Sequence, residues 1–179
     1  MKISATKRIT ALGVFAAISV ILTYLIRFPI FPAASFLEYD PADVTILITA
    51  FIFGPAWGVL LTFCVAAIQA MTVSASSGII GFFMHFIATG AFSAVAGLIY
   101  RRLPDIKGSV IALIAGVLTM TAVMIPLNLI FTPMYGVPID AVKQMIVPVI
   151  VPFNLIKAGI NAAITLLLYK RTGSLIRGK

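Results

Sequence analysis

Hydrophobic residues run along this chain in long stretches that short polar segments separate. Four of these stretches have about 20 residues, the length at which an α-helix crosses a bilayer. They predict membrane helices over residues 9–26, 79–100, 110–131 and 145–169. The first stretch follows a basic start, as a signal peptide would, but it is long for one, and Arg27-Phe28-Pro29 is a poor cleavage site. We therefore expect it to be a retained span.

A fifth apolar region, residues 44–71, is interrupted by Gly54-Pro55. Proline removes a helix donor and disfavours helix before it, so the pattern predicts two helices, 44–53 and 56–71, joined by a tight turn. Basic residues favour this division, because lysine and arginine are enriched in cytoplasmic loops. With two helices here, ten of the thirteen lysines and arginines lie on the side of both termini, and four of the five acids lie on the other. These ten are Lys2, Lys7, Arg8, Arg101, Arg102, Lys107, Lys170, Arg171, Arg177 and Lys179.

The sequence thus predicts an all-α integral membrane bundle of six transmembrane helices, one domain over residues 1–179, with both termini cytoplasmic. The second helix is short: ten residues reach only about 15 Å, against a hydrocarbon core of about 30 Å. Residues 28–41 must therefore dip into the membrane from outside. Irregular backbone at that depth is tolerated only inside protein or along a cavity. This predicts an outward-facing ligand pocket that a loop caps.

The composition supports a membrane protein. Hydrophobic residues make up 61% and charged residues 10%, against about 45–50% and 25% in soluble domains. The net charge of +8 needs no nucleic acid as partner, because anionic lipid head groups suffice. Cys64 is the only cysteine, so no disulfide framework is expected. The sequence has no cluster of metal ligands, no phosphate-binding glycine loop and no nucleophile–base set, which argues against an enzyme.

Three polar residues share one face of the last predicted helix. Asn154, Lys157 and Asn161 are spaced i, i+3, i+7. A lysine inside a span is unfavourable by a few kcal/mol, so it usually faces a cavity or a partner. The alternative is a lysine that snorkels to the interface, which is strained this close to the middle of the span. We interpret Lys157 as a functional residue.

Asn128 lies near the outer end of the fifth helix, at the level of Asn154. It either bridges helices or contacts a ligand. Two amides and one ammonium can hydrogen-bond a planar heterocycle with several acceptors, or a polyol. His85, the only histidine, has no acid within a helical turn, so a packing or helix-bridging role is favoured over a proton relay.

The loop before the second helix is the remaining candidate for the outer pocket. Asp40-Pro41 starts a turn, and Asp40 or Asp43 can cap the short helix. Phe36 and Tyr39 are either interfacial aromatic residues or stacking partners of an aromatic ligand.

Small residues on the first helix allow another helix to approach closely. They are Ala11, Gly13, Ala16 and Ala17, and they include the pattern Gly13-x-x-x-Ala17. Either they pack inside the bundle or they form a docking face for a partner membrane protein.

Several segments together resemble the substrate-binding S components of energy-coupling factor (ECF) vitamin transporters, and most closely the riboflavin-specific branch. They are Phe36-Leu-Glu-Tyr-Asp-Pro-Ala-Asp43, Phe53-Gly-Pro55, Ala122-Val-Met-Ile-Pro-Leu-Asn128 and Pro152-Phe-Asn-Leu-Ile-Lys-Ala-Gly-Ile-Asn161. The resemblance implies a pocket for riboflavin, as the transported ligand and with no cofactor. The implied riboflavin-binding residues are Asn128, Asn154, Lys157, Leu37, Phe36, Tyr39 and Asp40. Asn161 and His85 match no contact of the family and are possible additional pocket residues.

The resemblance also implies partners. The small residues of the first helix would dock on a transmembrane T component, which couples to two cytoplasmic ATPases. Riboflavin is neutral, so Lys157 would act as a hydrogen-bond donor. Two alternatives stay open: an S component for another vitamin, and a stand-alone ion-coupled carrier. The scarcity of acids inside the spans weighs against the carrier.

Overall fold

A computed structural model of the protein describes residues 4–31, 34 and 36–177, apart from the side chains of residues 174, 176 and 177. Lys2 and Lys179, which were predicted on the inner side, lie outside the described residues, as does the side chain of Arg177. Within this part the α-helices are α1 (Ala5–Leu25), α2 (Ala42–Phe53), α3 (Pro55–Met71), α4 (Gly78–Arg102), α5 (Ile106–Phe131), α6 (Ile139–Met145) and α7 (Val151–Arg177).

Four helical segments are long and apolar enough to cross a membrane: α1, α4 and α5 with their flanking turns, and the unit formed by α6 and α7. The apolar helices α2 and α3 are shorter. The predicted all-α membrane bundle, with six helical segments and a short second one, is confirmed. The helices α1 and α5 begin before the apolar stretches 9–26 and 110–131, because a polar residue ahead of each stretch caps the helix N-terminus. Ser4 accepts the backbone N–H of Lys7 at 3.3 Å, and Asp105 accepts that of Gly108 at 2.6 Å.

The last segment differs from the single helix that was expected to begin near Met145. Here α6 ends at Met145, Ile146–Ile150 form a π-helical turn, and α7 begins at Val151. Pro148 and Pro152 lie in and just after this turn and cannot donate backbone hydrogen bonds, which accounts for the interruption. The turn directly precedes the polar face of α7.

The short helix α2 occupies the centre of the bundle. Its first ten residues, Ala42 to Phe51, are all buried, and it packs against α1, α3, α4 and α7. Gly54 links it to α3 with a φ of 101°, a conformation that favours glycine. Gly97 on α4 lies close to the start of α3, because a Cβ added to it would lie 2.9 Å from Pro55 Cα. A helix that packs all round can carry buried polar groups only if neighbours supply their partners.

The predicted capping loop is a small hairpin between α1 and α2. Strand β1 (Phe28–Pro29) pairs antiparallel with β2 (Glu38–Tyr39). Beside it, Ala34 and Leu37 pack into a small apolar cluster with Val142, Ile150 and Phe153. This cluster connects the loop to the α6–α7 unit at one end of the bundle.

Candidate functional site

A cavity of about 620 Å³ opens beneath the hairpin. Its walls come from α1, the hairpin, α3, α4, α5 and α7, so every long segment of the bundle contributes. Apolar lining residues include Phe36, Leu37, Met124 and Phe153. Its polar lining residues include Arg27, Glu38, Asp40, Gln69, His85, Thr89, Asn128, Thr132, Asn154 and Lys157. The volume lies within the range of small-molecule sites, about 300–1,000 Å³.

A buried ion pair forms the polar floor of this cavity. Lys157 Nζ on α7 donates to Asp40 Oδ2 at 2.6 Å. The side chains are only 10% and 12% exposed. The other carboxylate oxygen, Oδ1, accepts the backbone N–H of Ala42 at 3.1 Å. Asp40 therefore accepts a backbone N–H at the start of α2 and also neutralises Lys157. Because Lys157 is paired inside the protein, it does not snorkel to the membrane interface.

A second group of residues lies behind the ion pair and positions Asp40. Asn161 Nδ2 donates to the backbone carbonyl of Asp40 at 3.0 Å and to Asp43 Oδ2 at 3.2 Å. Tyr39 donates its hydroxyl to Asn161 Oδ1 at 3.0 Å. Burial, together with the nearby carboxylates of Asp40 and Asp43, raises the pKa of Tyr39, so this hydroxyl keeps its proton. Tyr39 and Asn161 are not among the described residues that line the cavity, so a direct role of either in binding stays a prediction.

The interpretation of Asp43 as a helix cap is wrong. Its side chain forms no capping bond at the start of α2. Instead, Thr89 on α4 donates to Asp43 Oδ1 at 2.9 Å, and Asn161 on α7 donates to Oδ2. Asp43 is fully buried and links three helices. Thr89 was not singled out in the sequence, because a threonine in an apolar helix carries no distinguishing pattern.

The two predicted amides lie in the cavity wall, on α5 and α7. Each donates to the carbonyl four residues before it, Asn128 to Met124 and Asn154 to Ile150, both at 2.8 Å. Thr132 donates to Asn128 Oδ1 at 3.0 Å. Asn154 Oδ1 is buried and has no hydrogen-bond partner within the described part of the chain. It is therefore a fixed acceptor in the cavity wall.

The predicted packing residue His85 also lines the cavity, from α4. Its Nε2 atom is buried and unpartnered among the described residues. Buried polar atoms are nearly always hydrogen-bonded, and exceptions need an explanation. His85 and Asn154 Oδ1 together leave two polar groups for a ligand or water.

The mouth of the cavity is held by an ion pair that the sequence did not reveal. Arg27, after α1, pairs with Glu38 on the hairpin. The same guanidinium also donates to the carbonyl of Val73 and, at 3.2 Å, to the hydroxyl of Ser74. Arg27 thus fastens the hairpin to the connection between α3 and α4.

The small residues of α1 are divided between two environments. Gly13 and Ala17 are exposed, Ala11 is half-buried, and Ala16 packs against the core. A Cβ at Gly13 would meet nothing within 4 Å. The exposed positions leave room for a partner helix, and docking there stays a prediction. No group of three metal-ligating side chains occurs among the described residues.

Comparison with known proteins gives a consistent result. A family model described as ECF transporter, substrate-specific component matches residues 7–169. Riboflavin transporter RibU of Staphylococcus aureus (strain TCH60) is 28% identical over 184 residues, which cover 99% of this chain and 96% of that protein. Riboflavin transporter FmnP of Bacillus subtilis (strain 168) is 27% identical over 160 residues, 84% of each chain.

A solved structure, described as the S component of a bacterial ECF transporter, has the same fold. It superposes with a TM-score of 0.83 at 30% sequence identity, over 97% of this chain and 99% of that one. The similarity therefore extends over nearly the whole length of both chains.

Proposed function

Because the chain belongs to the substrate-specific components of ECF transporters, we propose that it is the riboflavin-binding S component of an uptake transporter of this type. Two relatives named riboflavin transporters, which match over most of their length, support this substrate. The single observation that carries the proposal is the cavity beneath the hairpin, whose wall presents buried polar atoms that have no hydrogen-bond partner among the described residues.

The chemistry of riboflavin fits these groups. Its isoalloxazine ring is planar and apolar over most of its area, with one imide N–H between two carbonyl groups. Asn154 Oδ1 is an acceptor that receives no hydrogen bond from the described residues, and it suits the imide N–H. Lys157, with one N–H used by Asp40, retains donors for the carbonyl groups. Phe36 and Phe153 provide apolar contact for the ring, and Glu38, Gln69 and His85 provide partners for the ribityl hydroxyls.

The ion pair also suits a neutral ligand. Asp40 already balances the charge of Lys157, so an uncharged molecule can enter without leaving a buried charge. An ion-coupled carrier would need a carboxylate that is available for its coupling ion, and both buried acids already have hydrogen-bond donors. Asp40 is held by Lys157, and Asp43 by Thr89 and Asn161. These bonds support a structural role for both carboxylates.

Transport would require partners that supply energy. We expect a T component to dock on the exposed face of α1 around Gly13 and Ala17, and two cytoplasmic ATPases to drive it. The lysines and arginines at the starts of α1 and α5 and at the ends of α4 and α7 support cytoplasmic termini. The hairpin and cavity would then face outward.

Flavin fluorescence tests the ligand directly. Purified protein in detergent, freed of endogenous ligand, is titrated with riboflavin, and stoichiometric quenching at nanomolar concentrations is expected. Well-folded protein that leaves the fluorescence unchanged would refute the riboflavin assignment and direct the search to other vitamins.

Reconstituted vesicles test the partners. Riboflavin uptake should require a T component, both ATPases and ATP, and Gly13→Leu should abolish uptake while quenching persists. Ala122→Leu, a matched change at an exposed position of α5, is the control. Uptake by the chain alone would instead support a stand-alone carrier.

A further inference from the structure

A second concave site lies on the outside of the bundle, between α5 and α7. It is an apolar groove of about 290 Å³ whose lining shares no residue with that of the ligand cavity. Val110, Ile114 and Leu118 line it from α5, and Ala163 and Leu166 line it from α7. From Val110 to Leu118 the helix rises about 12 Å, close to the depth of one bilayer leaflet, about 15 Å.

The floor of this groove is open at Gly159. A Cβ added there would meet no atom within 4 Å. Ile114 and Leu118 on the rim are more than half exposed. In a membrane, such a groove is filled by hydrocarbon, because no polar group in it could hold water. The charges around the groove then decide which lipid or protein surface fills it.

Two lysines lie at one end of the groove. Lys107 precedes Val110 by three residues and Ile114 by seven, so it continues the groove-facing row of α5. Lys170 follows Leu166 by four residues and Ala163 by seven, so it continues the facing row of α7.

The helix ends that carry these lysines are close together. Tyr169 donates its hydroxyl to Ser109 Oγ at 3.2 Å, which joins α7 to the first turn of α5. Both lysines are exposed, and neither forms an ion pair within the part of the chain that the structure describes. The carboxylate of the nearby Asp105 accepts the backbone N–H of Gly108 at 2.6 Å and forms no ion pair with either lysine in this part of the chain.

We propose that this groove binds one anionic phospholipid, with an acyl chain along Gly159 and the phosphate between Lys107 and Lys170. Charge complementarity selects this occupant: basic residues beside a membrane surface attract anionic lipids, and basic pockets between helices hold their head groups. A second copy of the chain fits poorly, because a symmetric pairing of the two grooves would bring four lysines together without counter-charges.

Native mass spectrometry of the protein in detergent tests this proposal with two lipids of identical acyl chains, phosphatidylglycerol and phosphatidylcholine. We expect one phosphatidylglycerol to be retained, preferred by at least about tenfold. Lys107→Gln with Lys170→Gln should reduce the preference to near parity. Gly159→Leu, which fills the floor, should reduce retention of both lipids.

The control is Lys7→Gln with Arg102→Gln, which removes the same charge at the same end of the bundle but on α1 and α4. It should retain the preference, and circular dichroism should show that all variants fold. Equal retention of the two lipids by the unaltered protein would overturn the proposal. So would an equal loss of preference in the control pair, or a dimer that Gly159→Leu dissociates in place of a lipid adduct.

Discussion

Replacing Lys157 by methionine should destabilise the protein far more than an ordinary change from lysine. Methionine fills the volume of the aliphatic stem but leaves the carboxylate of Asp40 buried without its cation. Removing one partner of a buried ion pair is unfavourable by about 3–5 kcal/mol. The side chains are 10% and 12% exposed, so solvent screens this pair little.

The chain contains a matched control for this change. Lys143 pairs with Asp140 at 3.0 Å on α6, but these side chains are 60% and 80% exposed. Exposed pairs contribute about 0–1 kcal/mol, so Lys143→Met should hardly alter stability. Asp40→Asn in the Lys157→Met background should recover most of the loss, because the amide removes the unpaired charge and retains an acceptor for the N–H of Ala42.

Thermal unfolding in detergent, monitored by circular dichroism, measures the stability of the unaltered protein, of Lys157→Met, of Lys143→Met and of the double variant. Equal midpoints for Lys157→Met and Lys143→Met would refute the reasoning, as would a double variant no more stable than Lys157→Met. Riboflavin titration then separates two roles of Lys157. If Lys157 donates to the flavin, the affinity of the Lys157→Met, Asp40→Asn double variant for riboflavin is reduced. If Lys157 only holds Asp40 in place, the affinity of the double variant is that of the unaltered protein.

Three further changes address the cavity and the packing around it. Asn154→Leu should weaken riboflavin binding by about 10–100-fold, because a buried acceptor is lost; an unchanged dissociation constant in the fluorescence titration would remove Asn154 from the site. Arg27→Met should release the hairpin and speed riboflavin dissociation about tenfold in stopped-flow fluorescence, because its hydrogen bonds are charged but partly exposed; an unaltered rate would mean that the hairpin is held without it. Gly97→Ala should lower stability by about 1–3 kcal/mol, since its Cβ would meet backbone, whereas Gly13→Ala should not, and equal unfolding midpoints would contradict this.

Much of the fold follows from local features of the sequence. Long apolar helices are the form in which a chain crosses lipid, so the apolar stretches themselves indicate the spans. Gly54-Pro55 marks the break between the second and third helices. The interruption at Ile146–Ile150 was missed, although Pro148 and Pro152 indicate it. Hydropathy alone does not distinguish an apolar π turn from an apolar α turn.

The site was less accessible to prediction than the fold. Asn128, Asn154 and Lys157 stand out because polar residues are unfavourable in a membrane helix. The partner of Lys157 does not, because Asp40 lies 117 residues earlier, in a loop where an acid is ordinary. The same holds for Arg27 and Glu38. Tyr39 was predicted to bind the ligand, with Asn161 as an additional candidate. Their hydrogen bonds position Asp40, which sequence spacing does not reveal, and a direct contact of either with the ligand stays a prediction.

The long separation between Asp40 and Lys157 has a consequence for how the protein is made. The ribosome delivers α2, with Asp40 and Asp43 at its start, well before α7. Until α7 enters the bundle, Asp40 lacks its cation and Asp43 lacks the amide of Asn161. Membrane insertion of the early helices must therefore proceed with these carboxylates unneutralised or still at the surface. The ligand cavity is complete only after α7 has joined the other helices, so a nascent chain gains the ability to bind only once α7 has been made.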